Sequence, residues 1–200
     1  MRKVSLLLGA LLCLSALAFG QALTQAERER GAKYLQQTRD GVIAATKGLS
    51  EAQMKFKPAP DRWSVAETLE HIALAEDFLL KDINDRIMKA PAGPSDRDTA
   101  KLDAMVLAMI PDRSHKAQAP PPIVPTGRWT PAETLDHFLK GRAKTIEFLQ
   151  SAPDLREHVA DSPLGQQLDA YEWLLFIAAH SERHTKQIAE VKADPKFPKN

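Results

Sequence analysis

A four-residue signal that occurs three times commits most of this 200-residue chain to helix. Thr24-Gln25-Ala26-Glu27, Ser64-Val65-Ala66-Glu67 and Thr130-Pro131-Ala132-Glu133 each have the form of a capping box. The hydroxyl at the first position accepts from an orphan backbone N–H, and the Glu three residues on reaches back to the cap's own N–H. Pro131 falls at the first helical position, where its missing N–H costs nothing. The spacing predicts helices over about 27–47, 65–89 and 131–151. A fourth, over about 168–192, lacks a box of this Ser/Thr kind and is entered from a turn at Pro163 and Gly165. No run of period two suggests a strand. The expected fold class is all-α: a four-helix bundle with a long crossover between helices two and three.

That crossover, about 90–128, carries Pro91, Pro94, Pro111, Pro120, Pro121, Pro122 and Pro125. A short amphipathic run over 101–110 predicts one extra helix within it. His115 is its one candidate ligand, so the link is expected to add little to any metal site.

The first twenty residues form a separate unit. Arg2 and Lys3 precede an apolar run over 4–19, followed by small residues at Ala18, Gly20 and Ala22. This is the pattern of a signal peptide, 1–20, leaving a domain over 21–200. The run is about 16 residues long, short of the roughly 20 that span a membrane, so no stable anchor is expected after cleavage. The expected location is periplasmic or extracellular. Cys13 is the single cysteine and leaves with the leader, which excludes a disulfide, a thiolate ligand and a cysteine nucleophile from the processed chain. Cleavage also removes two of the 27 basic residues, leaving 25 against 26 acidic ones. There is no cationic excess to neutralise a phosphate backbone, so nucleic acid is not an expected partner.

The fourth helix carries the chemistry. With about 100° between successive residues, Trp173, Ile177, His180, His184, Ile188 and Val191 share one face. Two histidines four apart stand one turn above each other, a spacing at which two imidazoles grip one ion. Two core histidines satisfied by hydrogen bonds are the alternative. Four ring nitrogens on an apolar stripe are hard to satisfy, however, and charging both rings is costly. A third ligand must come from His71, His115, His137 or His158. On helix two the stripe is Val65, Leu69, Ile72, Leu79 and Ile83, and His71 lies roughly 120° from its centre, beside Ala75 and Phe78. On helix three the stripe is Leu135, Leu139, Ile146 and Leu149, and His137 lies roughly 150° away, among charges. His115 and His158 fall in connections. Geometry favours His71. Glu76 lies within the stripe of helix two, as a general base or as the buried partner of an Arg such as Arg142. Glu182 and Arg183 read as solvated.

Residues 63–71, Trp-Ser-Val-Ala-Glu-Thr-Leu-Glu-His, followed by residues 180–188, His-Ser-Glu-Arg-His-Thr-Lys-Gln-Ile, resemble the DinB family. The likeness runs from about Thr24 to Val191. Gly127-Arg128-Trp129 and Leu164-Gly165 are similar to a secreted, uncharacterised branch of it. The resemblance implies a four-helix bundle with one His on the second helix and a His-x-x-x-His pair on the fourth, which map onto His71, His180 and His184. It implies a divalent ion, commonly zinc or nickel, with positions left open, and does not imply DNA binding. Related bundles include thiol-cofactor S-transferases and an isomerase that uses a thiol. An exported metal-dependent hydrolase or thiol/group transferase of unknown small-molecule substrate is one expectation. A non-catalytic metal- or ligand-binding bundle is another, with room for a homodimer. There is also a weak internal echo, residues 62–71 against 128–137.

Mass spectrometry of the exported protein should find its first residue at Gln21 or Leu23. Recovery of residues 1–19 still attached in a membrane fraction would overturn the leader assignment.

Overall fold

The computed structural model describes residues 22–199; the expected leader, 1–20, lies outside them. The chain order is α1 (Gln25–Thr46), α2 (Glu51–Lys55), α3 (Val65–Asp85), α4 (Thr99–Met109), α5 (Pro131–Ser151), β1 (Val159–Asp161), β2 (Gln167–Asp169) and α6 (Ala170–Lys192). Short 3₁₀ turns stand at Ile87–Lys89 and Pro121–Ile123.

All three expected capping boxes form. The backbone N–H groups of Thr24, Ser64 and Thr130 donate to Glu27, Glu67 and Glu133 at 2.8, 2.7 and 2.8 Å. Two more exist: Ser50 with Gln53 opens α2, and Asp169 with Glu172 opens α6. The last corrects the reading of the fourth helix, whose box is built from a carboxylate cap rather than a hydroxyl.

The four long helices are α1, α3, α5 and α6, and they pack in the order α1–α6–α3–α5 around the bundle. Tyr171 Oη donates to Glu27 O, Tyr34 Oη to Glu182 and Lys192 Nζ to Ala45 O, so α1 and α6 run in the same direction. Glu70 meets the backbone at Thr126 and Gly127 while Glu76 meets Arg142 and Thr145, so α3 and α5 are parallel too. His71 meets His184, and the Arg86 guanidinium lies over Trp173, which makes α3 and α6 antiparallel. A parallel neighbouring pair cannot be joined by a tight turn. After α3 the chain must travel back along a helix of about 30 Å before α5 begins. This is the physical reason for the long crossover. The helix expected at 101–110 is α4, resting on α6.

Two features depart from the sequence reading. An antiparallel hairpin pairs Val159 with Asp169 and Asp161 with Gln167, turning through Gly165 at φ 70°. Strands of three residues are too short to show a period of two. On α5 the inward face is Thr134, Phe138, Gly141, Arg142, Thr145 and Leu149, while Leu135, Leu139 and Ile146 are half-buried flanks. The apolar stripe was displaced because this helix turns an arginine and two threonines into the core.

Arg142 and Thr145 belong to a polar layer across the bundle. One apolar cluster, with Leu35, Ile83, Leu149 and Ile177, lies on one side. A second, with Val42, Leu69, Phe138 and Ile188, lies on the other. Between them the buried Arg142 guanidinium donates from Nε and NH2 to the two oxygens of Glu76 at 2.8 and 2.7 Å. NH1 donates to Leu35 O and Thr38 Oγ1, and NH2 also to Ser181 Oγ. Thr145 Oγ1 donates to Glu76 at 2.6 Å.

Removing one member leaves an uncompensated charge, so Arg142→Ala should cost about 3–5 kcal/mol in urea unfolding. The double variant Glu76→Leu/Arg142→Met should recover part of that loss. A single-variant cost under about 1 kcal/mol would contradict a dry, fully paired layer.

Candidate metal centre

α3 and α6 cross beside this polar layer, and there three imidazoles meet. His71 Nε2 lies 3.0 Å from His184 Nε2 and 3.2 Å from His180 Nε2, and the last two are 3.2 Å apart. His71 and His184 are buried, and His180 is partly exposed. The Trp63 ring, just before the α3 cap, packs on His71 at 4.7 Å between centroids and on His184 at 6.4 Å. Phe176, one turn before His180, stacks on that ring at 6.4 Å.

The outward nitrogens settle what the inward ones present. His71 Nδ1 donates to Ile123 O at 2.8 Å, and His184 Nδ1 donates to Gln187 Oε1 at 2.8 Å. A neutral imidazole with Nδ1 protonated carries a lone pair on Nε2. At least two lone pairs therefore point into one small volume, where they cannot hydrogen-bond to each other. An ion held at about 2.0–2.1 Å by three imidazoles, with ligand angles between octahedral and tetrahedral, needs nitrogens about 2.9–3.4 Å apart. The observed triangle fits that requirement, and hydrogen bonds from the far nitrogen to oxygen are the usual support of ligating histidines.

Burial lowers the pKa of all three rings. For His180 the next causes are the charges that His184 and His71 would carry, and for His184 that of His71. Neutral imidazole is the form a metal requires.

The other histidines lie elsewhere. His137 Nε2 donates to Asp77 at 2.5 Å and the ring stacks on Trp129, outside the triad. His115 is exposed, and His158 is half-buried with Nδ1 on Ala90 O. The echo between the two segments is real at the level of local structure: Trp63 packs on His71 at a tilt and Trp129 stacks on His137, each across eight residues. Glu76 is held by Arg142 and Thr145 on both oxygens, so the ion-pair reading holds and the general-base reading does not.

The crossover supplies none of the three imidazoles, but it does contact the residues around them. Ile123 supplies the carbonyl behind His71. Arg113 donates to Gln187 at 3.3 Å and to Glu190. Arg183, expected in solvent, donates to the carbonyls of Ile110, Asp112 and His115. Glu182 accepts from Tyr34 and Lys186. The sequence gives a signal for Gln187, which is three residues beyond His184 and hence on the same helix face. A backbone carbonyl such as that of Ile123 has none.

The sequence profile of the DinB superfamily matches residues 34–188, a span that holds all three histidines. The chain belongs to the DinB superfamily. It is 26% identical over 148 residues to the uncharacterised protein YuaE of Bacillus subtilis (strain 168), covering 73% of this chain and 87% of that protein. In fold it is similar to YfiT from Bacillus subtilis, with a TM-score of 0.54 and 12% identity over 86% of this chain and 89% of the other. YfiT is described as "a probable metal-dependent hydrolase with an unusual four-helix bundle topology". The parallel α1/α6 and α3/α5 pairs are the topology of this DinB chain.

The triad's depressed pKa values carry a stability consequence. An unfolded imidazole titrates near 6.5, so below that pH the unfolded chain takes up protons that the folded one refuses. The contribution is complete above pH 6.5 and is lost as pH falls through the lower folded values. Glu172, pushed up to about 7 by burial and then by Asp169, acts in the opposite sense over the same range. The clean observable is therefore a difference. In metal-free protein, melting temperature should fall more steeply from about pH 7 to about pH 5 with the triad intact than in His180→Ala. Equal slopes would contradict the assignment of that proton uptake to the triad.

Proposed function

We propose that His71, His180 and His184 bind one divalent ion, zinc before nickel, and that the protein is a metal-dependent hydrolase acting on a small molecule. The reading rests on one observation: three Nε2 atoms within 3.0–3.2 Å of one another, two of them with Nδ1 committed to an oxygen. Three nitrogen ligands suit zinc, and a site with three protein ligands keeps a position for substrate, whereas structural zinc sites close with four. An ion held by neutral ligands keeps its full charge and supplies Lewis acidity, enough to polarise a carbonyl or make water or a thiol nucleophilic near neutral pH.

The chain's own residues supply the rest. Trp63 and Phe176 shield the ligand rings from water on two sides. His180, the least buried ligand, is on the side from which a substrate would arrive. Hydrolysis is preferred over thiol transfer on two counts. YfiT carries the hydrolase description, and export by the leader expected over residues 1–20 would carry the protein to where small thiols are scarce.

The engagement of Glu76 with Arg142 favours a second reading. With that carboxylate consumed, a metal-binding bundle without catalysis is the alternative. Turnover of a panel of ester, amide and lactone substrates by zinc-loaded protein, abolished by a chelator, separates the two.

Metal analysis of purified protein should give one zinc per chain. His71→Ala, His180→Ala and His184→Ala should each lower that stoichiometry, and His137→Ala should not. Zinc at about 100 times its Kd should stabilise the fold by about 2.7 kcal/mol. A chain that melts at the same temperature with and without zinc does not bind it in the folded state.

A further inference from the structure

Gln187 stands between the crossover and the triad. Its Oε1 accepts from His184 Nδ1 at 2.8 Å and from Arg113 NH1 at 3.3 Å. Arg113 is in turn clamped by Glu190, with NH2 2.7 Å from Oε2 and Nε on Oε1. Arg62 also reaches Glu190, at 3.5 Å.

The donor inventory of these groups fixes a direction. Guanidinium has five N–H donors, no acceptor, and does not lose its proton. Whatever faces it must accept, so the amide of Gln187 turns its oxygen, not its NH2, toward Arg113. The same oxygen then faces His184 Nδ1, which must be the protonated nitrogen. The remaining lone pair of His184 is thereby placed on Nε2, inside the triad. Were the amide reversed, its NH2 would confront the guanidinium. His184 Nδ1 would have to accept, and the proton would sit on Nε2, where it blocks a ligand. His71 needs no such device, because the Ile123 carbonyl behind it can only accept.

We propose that Gln187 is a positioning residue that sets the tautomer of His184, and that Arg113 on the crossover sets the orientation of Gln187. The proposal rests on the reading of the triad as a metal site, but its first consequence appears without metal. Both outward acceptors are neutral amide or peptide oxygens rather than carboxylates, so they orient the rings without cancelling the charge of the ion. Arg113 and Ile123 both belong to the crossover, so its placement over α6 and α3 bears on two of the three ligands.

The test uses metal-free full-length protein and zinc ion as the probe. In ¹⁵N-detected imidazole spectra of metal-free protein near neutral pH, His184 should be protonated on Nδ1. Gln187→Leu should give a mixture of tautomers and weaken zinc binding by about 10–100-fold in competition with a chromophoric chelator. Gln187→Glu, which can only accept, should restore the Nδ1–H tautomer and zinc affinity. Arg113→Met should lower affinity by less than Gln187→Leu and should have no further effect in the double variant. Circular dichroism of each metal-free variant separates ligand orientation from folding, and Gln187→Glu keeps the test decisive if Gln187→Leu fails to fold. An unchanged His184 tautomer and unchanged zinc affinity in folded Gln187→Leu would overturn the proposal. So would a folded Gln187→Glu with its proton on Nε2. If wild-type protein binds no zinc yet shows the Nδ1–H tautomer, the metal reading fails while the orienting role of Gln187 stands.

Discussion

A single guanidinium ties the four long helices together. Arg142 on α5 spends all five of its N–H donors, on Glu76 of α3, on Leu35 and Thr38 of α1 and on Ser181 of α6. Such a buried pair is weak evidence for stability, since well-packed apolar residues often serve as well. Its value is in register. An apolar interface tolerates sliding by a turn at modest cost. A guanidinium whose donors must all find acceptors on three other helices does not. Ser181 directly follows His180, so the layer fixes the height of α6 where the ligand pair begins. Glu76 lies five residues beyond His71 and fixes α3 on the other side. The triad closes to 3.0–3.2 Å because both helices that carry it are indexed to one charged contact.

Much of the fold could be read before any coordinates. The capping boxes located α1, α3 and α5 because hydroxyl and carboxylate stand in the local order the hydrogen bonds need. What escaped was whatever depends on a partner distant in sequence. On α5, the inward residues Arg142 and Thr145 look outward by polarity, because nothing local shows that Glu76 and Leu35 O will receive them. Asp169 was passed over as a cap because it offers a carboxylate where the three expected boxes offer a hydroxyl, and it also pairs with Arg97 and Arg156. Arg183 read as solvated because its three acceptors are backbone carbonyls, which leave no mark in a sequence.

The candidate centre divides in the same way. His180 and His184 were legible from their spacing on an apolar stripe. His71 was legible chiefly through resemblance, since by helical angle it sits at the margin of its stripe. The structure shows why that margin is buried: the 3₁₀ turn at Pro121–Ile123 covers it and supplies the carbonyl for the ring. His137 makes the contrast plain. It has the same local dress, a cap, a tryptophan eight residues earlier and the same helical position, yet it faces Asp77. Local sequence made both histidines equally presentable, and the presence of α6 opposite one of them decided which became part of the triad.

The parallel pairing of α3 with α5 has a consequence for how such a chain can diversify. Because these neighbours point the same way, a long return segment is unavoidable, and its length is bounded below by the bundle but hardly at all from above. That segment is also what roofs the histidines. The least restricted stretch of backbone is therefore laid over the most restricted chemistry. Insertions, deletions and substitutions there can reshape what reaches the triad while the four helices and their ligands keep their places. Recognition is separable from the reactive centre, as interchangeable tooling is from a fixed spindle.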